Sequence, residues 1–133
     1  FEGNAAPYLQ YSYVRASNIL KKLGLTNKKP SVSGVEIKKT KLNFNDVNDY
    51  EYALIKQLSL LPQVLKDVTR ELEPHFLCGY TYNLAKLFNE FYEKCPVLKG
   101  GKEKDKRIAI VKATKQVLAN ALHLLGLPII EKM

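Results

Sequence analysis

Pro7-Tyr8-Leu9-Gln10-Tyr11-Ser12-Tyr13-Val14-Arg15-Ala16-Ser17-Asn18-Ile19-Leu20-Lys21-Lys22-Leu23-Gly24 is the stretch on which the fold turns. Leu9, Tyr13, Ala16, Leu20 and Leu23 recur at three- and four-residue intervals, the spacing that stacks side chains on one face of an α-helix. Pro7 suits the first turn, where an amide N–H has no partner to lose. Gly24 supplies a residue free to adopt the left-handed conformation that stops a helix. The spacing predicts a helix over residues 7–23. At about 100° per residue, Tyr8, Tyr11, Arg15, Asn18 and Lys22 fall on a second stripe, roughly opposite the apolar one. That stripe admits two readings. Tyrosine rings can stack on unpaired bases at about 1–3 kcal/mol each, while Arg and Lys meet phosphates and Asn reads a base edge. Alternatively, the tyrosines pack beneath another helix and the cations are ordinary solvated charge.

The rest of the chain repeats the helical pattern. Residues 25–45 form a basic connector holding Lys28, Lys29, Lys38, Lys39 and Lys41 among Pro and Ser residues. It is longer than a usual helix connection and is therefore either mobile or functional. Within it, residues 32–39 alternate too briefly, and with too many lysines, to predict a strand. Asn48 followed by Glu51 matches a capping box, and Tyr50, Ala53, Leu54, Leu58 and Leu61 follow at helical spacing. Pro62 must end or kink this helix, with a continuation over 62–72 that turns Val64, Leu65 and Val68 inward. A third helix over 74–94 buries Leu77, Tyr80, Leu84, Leu87, Phe88 and Phe91, and leaves Tyr82 and Tyr92 off its core face beside Asn83, Lys86 and Asn89. After a linker at 95–104, a last helix over 105–125 turns Val111, Leu118, Leu122 and Leu125 inward. Lys112, Lys115, Gln116, Asn120 and His123 lie on its polar side, and Gly126 and Pro128 end it. The predicted architecture is all-α, a helical bundle of four to six helices forming a single domain over residues 1–133.

Composition narrows the function. The 133 residues, 46% hydrophobic, suit one core. No apolar run reaches the roughly 18 residues of a spanning helix, and the opening residues lack the basic start and apolar run of a signal peptide, so no membrane role is expected. The chain does not begin with Met, which reads as a fragment or excised domain, or as the result of processing. Twenty-one Lys and Arg against 13 Asp and Glu leave a net charge of +8, which favours a polyanionic partner through counterion release. Cys78 and Cys95 have no CxxC spacing and no histidine at ligand spacing, so no metal site is expected, and free thiols fit a reducing, cytoplasmic setting. There is no phosphate-binding loop and no nucleophile–base set. The pairs Glu71/Glu73 and Glu90/Glu93 read as helix surface, so no catalytic residue is assigned.

The opening run Phe1-Glu2-Gly3-Asn4-Ala5-Ala6-Pro7-Tyr8-Leu9-Gln10-Tyr11-Ser12-Tyr13-Val14-Arg15 closely resembles the signature that starts the C-terminal domain of class I arginyl-tRNA synthetases. Arg107-Ile108-Ala109-Ile110, Gln116-Val117-Leu118, Leu124-Leu125-Gly126-Leu127 and the closing Glu131-Lys132-Met133 resemble that family's final helix and terminus. The domain takes its name, DALR, from an Asp-Ala-Leu-Arg run. Here the corresponding residues are Lys104-Asp105-Lys106-Arg107 and only the arginine is kept. The resemblance implies a bundle that follows a catalytic domain of the same polypeptide. It would dock the anticodon stem and loop of arginine tRNA while that other domain, using ATP and Mg, joins arginine to the tRNA. It implies anticodon contacts for Tyr8 and Tyr11, for Tyr92 near the end of the third helix and for the terminal Met133, and marks Arg15 and Asn4 as signature positions. Tyr8, Tyr11, Arg15, Asn18, Lys22, Tyr92 and Met133 make the expected tRNA site, and Asn4 alternatively orders the turn into the first helix. This fragment would hold no cofactor and catalyse nothing by itself, and the synthetase signatures His-Ile-Gly-His and Lys-Met-Ser-Lys-Ser are both absent from it. The competing expectation is a helical protein-interaction module that docks another domain or subunit.

Overall fold

The computed structural model describes residues 5–25, 45–71 and 74–133. Asn4, the weak alternation at 32–39 and all the connector lysines lie outside the described residues. Helix α1 spans Ala5–Lys22, α2 Asp49–Ser59, α3 Leu61–Glu71, α4 His75–Lys94 and α5 Lys104–Leu124, the last preceded by a single 3₁₀ turn at Gly101–Glu103. Five helices and no strand among the described residues match the predicted class.

Local chemistry explains most of the boundaries. Gly24 and Gly126 have φ of 70° and 72°, and the two helix ends close alike. The Leu25 N–H donates to the Leu20 carbonyl at 3.0 Å and the Leu127 N–H to the Leu122 carbonyl at 2.9 Å, satisfying carbonyls that have no partner further along the helix. At the start of α2 the capping box is complete. The Glu51 N–H donates to Asn48 Oδ1 at 2.9 Å, and the Asn48 N–H donates to Glu51 Oε1 at 3.0 Å. The break expected at Pro62 falls two residues earlier, at Leu60. Pro62 then sits in the first turn of α3, where its missing N–H removes no intrahelical bond.

Helix α1 packs chiefly on α5 and also on α4, α2 lies against α4 and α5, and α3 rests on α4. Leu9, Tyr13, Ala16 and Leu20 of α1, Leu54 of α2, Leu84, Phe88 and Phe91 of α4, and Val111, Leu118 and Leu122 of α5 form the centre of the core. Contact with two helices makes the buried arc of α1 wider than its apolar stripe: Ser12, Val14, Ser17 and Ile19 are buried as well. Leu23, Leu87 and Leu125 pack only at its margin.

One expectation is corrected in α5. Lys115, read as part of a solvated polar side, is buried, with its ammonium 5.7 Å from the centre of the Tyr13 ring. Burial pushes its amine down, with Lys21 adding to the effect and Glu131 opposing it. Tyr13 is pushed up to about 12, by burial first and then by the Glu131 carboxylate. The segment after α5 turns back along α1. Gln10 Nε2 donates to the Pro128 carbonyl at 3.1 Å, and Lys21 pairs with Glu131 at 3.5 Å.

Candidate nucleic-acid interface

Helices α1 and α4 meet edge to edge, and the meeting line carries the aromatic groups. Contacts advance in the same direction on both helices. Tyr8 lies against Tyr82 with ring centres 5.3 Å apart. Asn89 reaches Tyr8, Ser12 and Arg15, and Arg15 stacks on Tyr92. On α1 the positions 8, 11, 12 and 15 share a face by the three- and four-residue rule, and on α4 so do 82, 89 and 92.

Arg15 is the centre of this line. Its Nη1 donates to Asn89 Oδ1 at 2.9 Å and its Nη2 donates to Tyr11 Oη at 2.7 Å. Its guanidinium carbon lies 4.1 Å from the Tyr92 ring centre and 4.9 Å from that of Tyr11. Both distances are within cation–π range, worth about 0.5–1 kcal/mol each at an exposed site. The planar guanidinium thus holds two rings in place while they keep large open areas: Tyr11 is 43% exposed and Tyr92 41%. Tyr82, at 48%, extends the aromatic surface beside Tyr8.

Of the residues predicted from sequence, the structure brings Tyr8, Tyr11, Arg15 and Tyr92 together. Tyr8 and Arg15 do not point straight away from the bundle: both are half-buried, because α4 flanks this side of α1. Asn18 and Lys22 are exposed further along α1. Met133 is exposed, two residues beyond the Glu131 that pairs with Lys21. Among the described residues no hydrogen bond or ring contact joins Asn18, Lys22 or Met133 to the aromatic line. Sequence reasoning placed Tyr82 and Asn89 only on the outer side of α4 and gave them no part in the site. Their spacing with Tyr92 carried the signal, but which helix faces α1 is a tertiary fact.

A second polar cluster is structural in character. The Glu51 carboxylate is buried and receives the Asn48 N–H on one oxygen. The other oxygen takes Lys106 at 3.1 Å and Arg107 Nε at 3.3 Å. Lys106 also pairs with Glu103 and donates to the Asp46 carbonyl, and Arg107 Nη1 donates to the Pro96 carbonyl at 2.9 Å. Burial alone would push the Glu51 carboxyl up. The Asn48 N–H, Lys106 and Arg107 together reverse this and hold it below its ordinary value. Arg107, the one residue kept from the Asp-Ala-Leu-Arg run, therefore ties α5 both to the start of α2 and to the turn after α4. Among the described residues no three His, Cys, Asp or Glu side chains are grouped as metal ligands. Cys78 and Cys95 are free thiols, the latter accepting from Asn48 Nδ2 at 3.4 Å.

The family model described as the DALR anticodon binding domain matches residues 9–133. The arginine–tRNA ligase of Pseudoalteromonas translucida is 40% identical over 136 aligned positions, covering 100% of this chain and 22% of that protein. That of Thermococcus sibiricus is 39% identical over 138, covering 100% of this chain and 20% of the relative. A solved structure of Thermus thermophilus arginyl-tRNA synthetase superposes with a TM-score of 0.77 at 29% identity, over 100% of this chain and 22% of that one. The chain thus spans about a fifth of the length of the relatives it matches.

Proposed function

The chain belongs to the DALR anticodon binding domain family, and from that premise we propose that it binds the anticodon stem-loop of arginine tRNA and positions the tRNA for ATP-dependent arginylation by a separate catalytic domain. The observation that carries the reading is the Tyr8–Tyr11–Arg15–Tyr92 line, two open rings braced by one guanidinium on a chain of net charge +8. Unpaired loop bases stack on Tyr11 and Tyr92, and basic side chains meet the stem phosphates. Binding energy gained here orients the distant acceptor end toward the catalytic domain, where ATP and Mg act. The setting is cytoplasmic, and the RNA partners are the arginine isoacceptors. The residues of this domain hold RNA and do no bond chemistry.

In the full-length ligase, Tyr11→Ala should lower kcat/KM for cognate tRNA by about tenfold, the worth of one modest stacking contact, and leave tRNA-independent arginine activation unchanged. Unaltered tRNA kinetics would remove Tyr11 from the mechanism. Lys22→Gln should lower the slope of log affinity against log salt by about 0.7–0.9, one phosphate contact, without changing which loop bases are preferred. An unchanged slope would show that Lys22 meets no phosphate. Titrating a labelled anticodon stem-loop at two salt concentrations separates this reading from a protein-docking module, which would not bind the stem-loop at all.

A further inference from the structure

We infer that Asn89 is a positioning residue that fixes the polarity of the Tyr8 hydroxyl, so that the aromatic face accepts only a hydrogen-bond acceptor on an unpaired loop base. The inference rests on the proposed RNA-binding role and adds to it the chemistry of the edge that is read.

The hydrogen bonds leave one assignment. Arg15 has only N–H donors, so the Asn89 atom 2.9 Å from Arg15 Nη1 must be the carbonyl oxygen. The Ser12 hydroxyl donates its single hydrogen to the Tyr8 main-chain carbonyl at 2.9 Å, so toward Asn89 it can only accept. Both constraints turn the Asn89 NH₂ group toward α1, where one hydrogen goes to Ser12 Oγ at 3.0 Å and the other to Tyr8 Oη at 2.9 Å. Tyr8 Oη is therefore an acceptor on its inner side. Its own hydrogen has no acceptor among the described residues and is left for a ligand. Arg15 imposes the same polarity on Tyr11, because its Nη2 fills the inner side of Tyr11 Oη. One hydroxyl hydrogen on each tyrosine thus remains to be given to a ligand. A base presenting a ring nitrogen or carbonyl oxygen satisfies them. One presenting an amino group sets a donor against a donor wherever the stacked base covers them, which costs affinity.

The test uses the full-length polypeptide and a series of labelled anticodon stem-loops. In each, one unpaired loop base loses one acceptor, as a deaza analogue for a ring nitrogen or a thiocarbonyl for a carbonyl oxygen. The readout is the ratio of parent to analogue affinity within each protein variant, which cancels any uniform effect of charge or stability. In the wild type one analogue should bind about tenfold more weakly than the parent. Asn89→Asp keeps the Arg15 bond but offers only acceptors. The Tyr8 hydrogen must then turn inward, and the ratio at that base should fall below about twofold. Tyr8→Phe should lower it equally and serves if the aspartate variant fails to fold. A tenfold ratio retained in either folded variant overturns the inference, as does a wild type that binds the parent tightly but distinguishes no analogue, the result expected if the hydroxyls meet phosphate. A wild type that binds no stem-loop defeats the proposed function itself, and the inference with it.

Discussion

Glu51→Ala is expected to destabilise the chain by about 3–5 kcal/mol, the cost of breaking a buried ion pair by removing one partner. In a domain of this size that lowers the melting temperature by about 10–20 °C. Glu51 is 1% exposed and its carboxylate serves Asn48, Lys106 and Arg107 together. Its removal takes away the Glu51 half of the capping box, leaves Lys106 with Glu103 alone as counterion and leaves Arg107 with no carboxylate at the α2–α5 contact. Glu51→Gln retains the cap acceptor but not the charge and should recover only part of the loss. The double variant Glu51→Leu, Lys106→Leu should recover more, since an apolar pair of similar volume often equals or exceeds a buried ion pair, and Arg107 keeps the Pro96 carbonyl. The pH dependence has a definite sign. The folded-state pKa of Glu51 is lowered, so its contribution is present above the ordinary carboxylate range of about 4 and is lost as pH falls through the depressed folded value. Lys106 gains partners and its pKa is raised, so its contribution holds below the ordinary lysine value and disappears as pH rises past the folded one. Melting temperatures across acid pH should therefore drop in the wild type and stay flatter in Glu51→Gln. Equal slopes would mean that the carboxylate adds nothing beyond its cap.

Arg15→Ala is expected to weaken anticodon stem-loop binding by about 10–100-fold while lowering the melting temperature by only a few degrees. Two rings are involved at once. Losing the orientation of two stacking platforms, at about 1–3 kcal/mol per base, outweighs the loss of either ring alone, so the effect should exceed that of Tyr11→Ala. Folding suffers little because Arg15 lies at the half-buried rim, where water can replace it at Asn89. Arg15→Lys should not restore affinity. An ammonium can supply charge, but it cannot lie flat on Tyr92 while donating in-plane to Tyr11 and Asn89. Full rescue by lysine would reduce Arg15 to a point charge and remove the bracing role.

The residues themselves decided the helices and where they stop. Gly24, Gly126, the Asn48–Glu51 cap and the three- and four-residue spacing of Leu9, Tyr13, Ala16 and Leu20 act within one or two turns of backbone, so a linear reading captures them. The same locality put Tyr8, Tyr11 and Arg15 on one stripe of α1, whereas Tyr92 of α4 entered the expected site only through the family resemblance. What only the tertiary structure decided is which faces meet. Asn89 looks like any solvated amide until α4 lies beside α1. Glu51 reads as an exposed cap residue until α5 closes over it with Lys106 and Arg107. Lys115 reads as surface until α1 covers it. A charged or amide group takes its role from partners tens of residues away in sequence, and spacing along one helix holds no record of them.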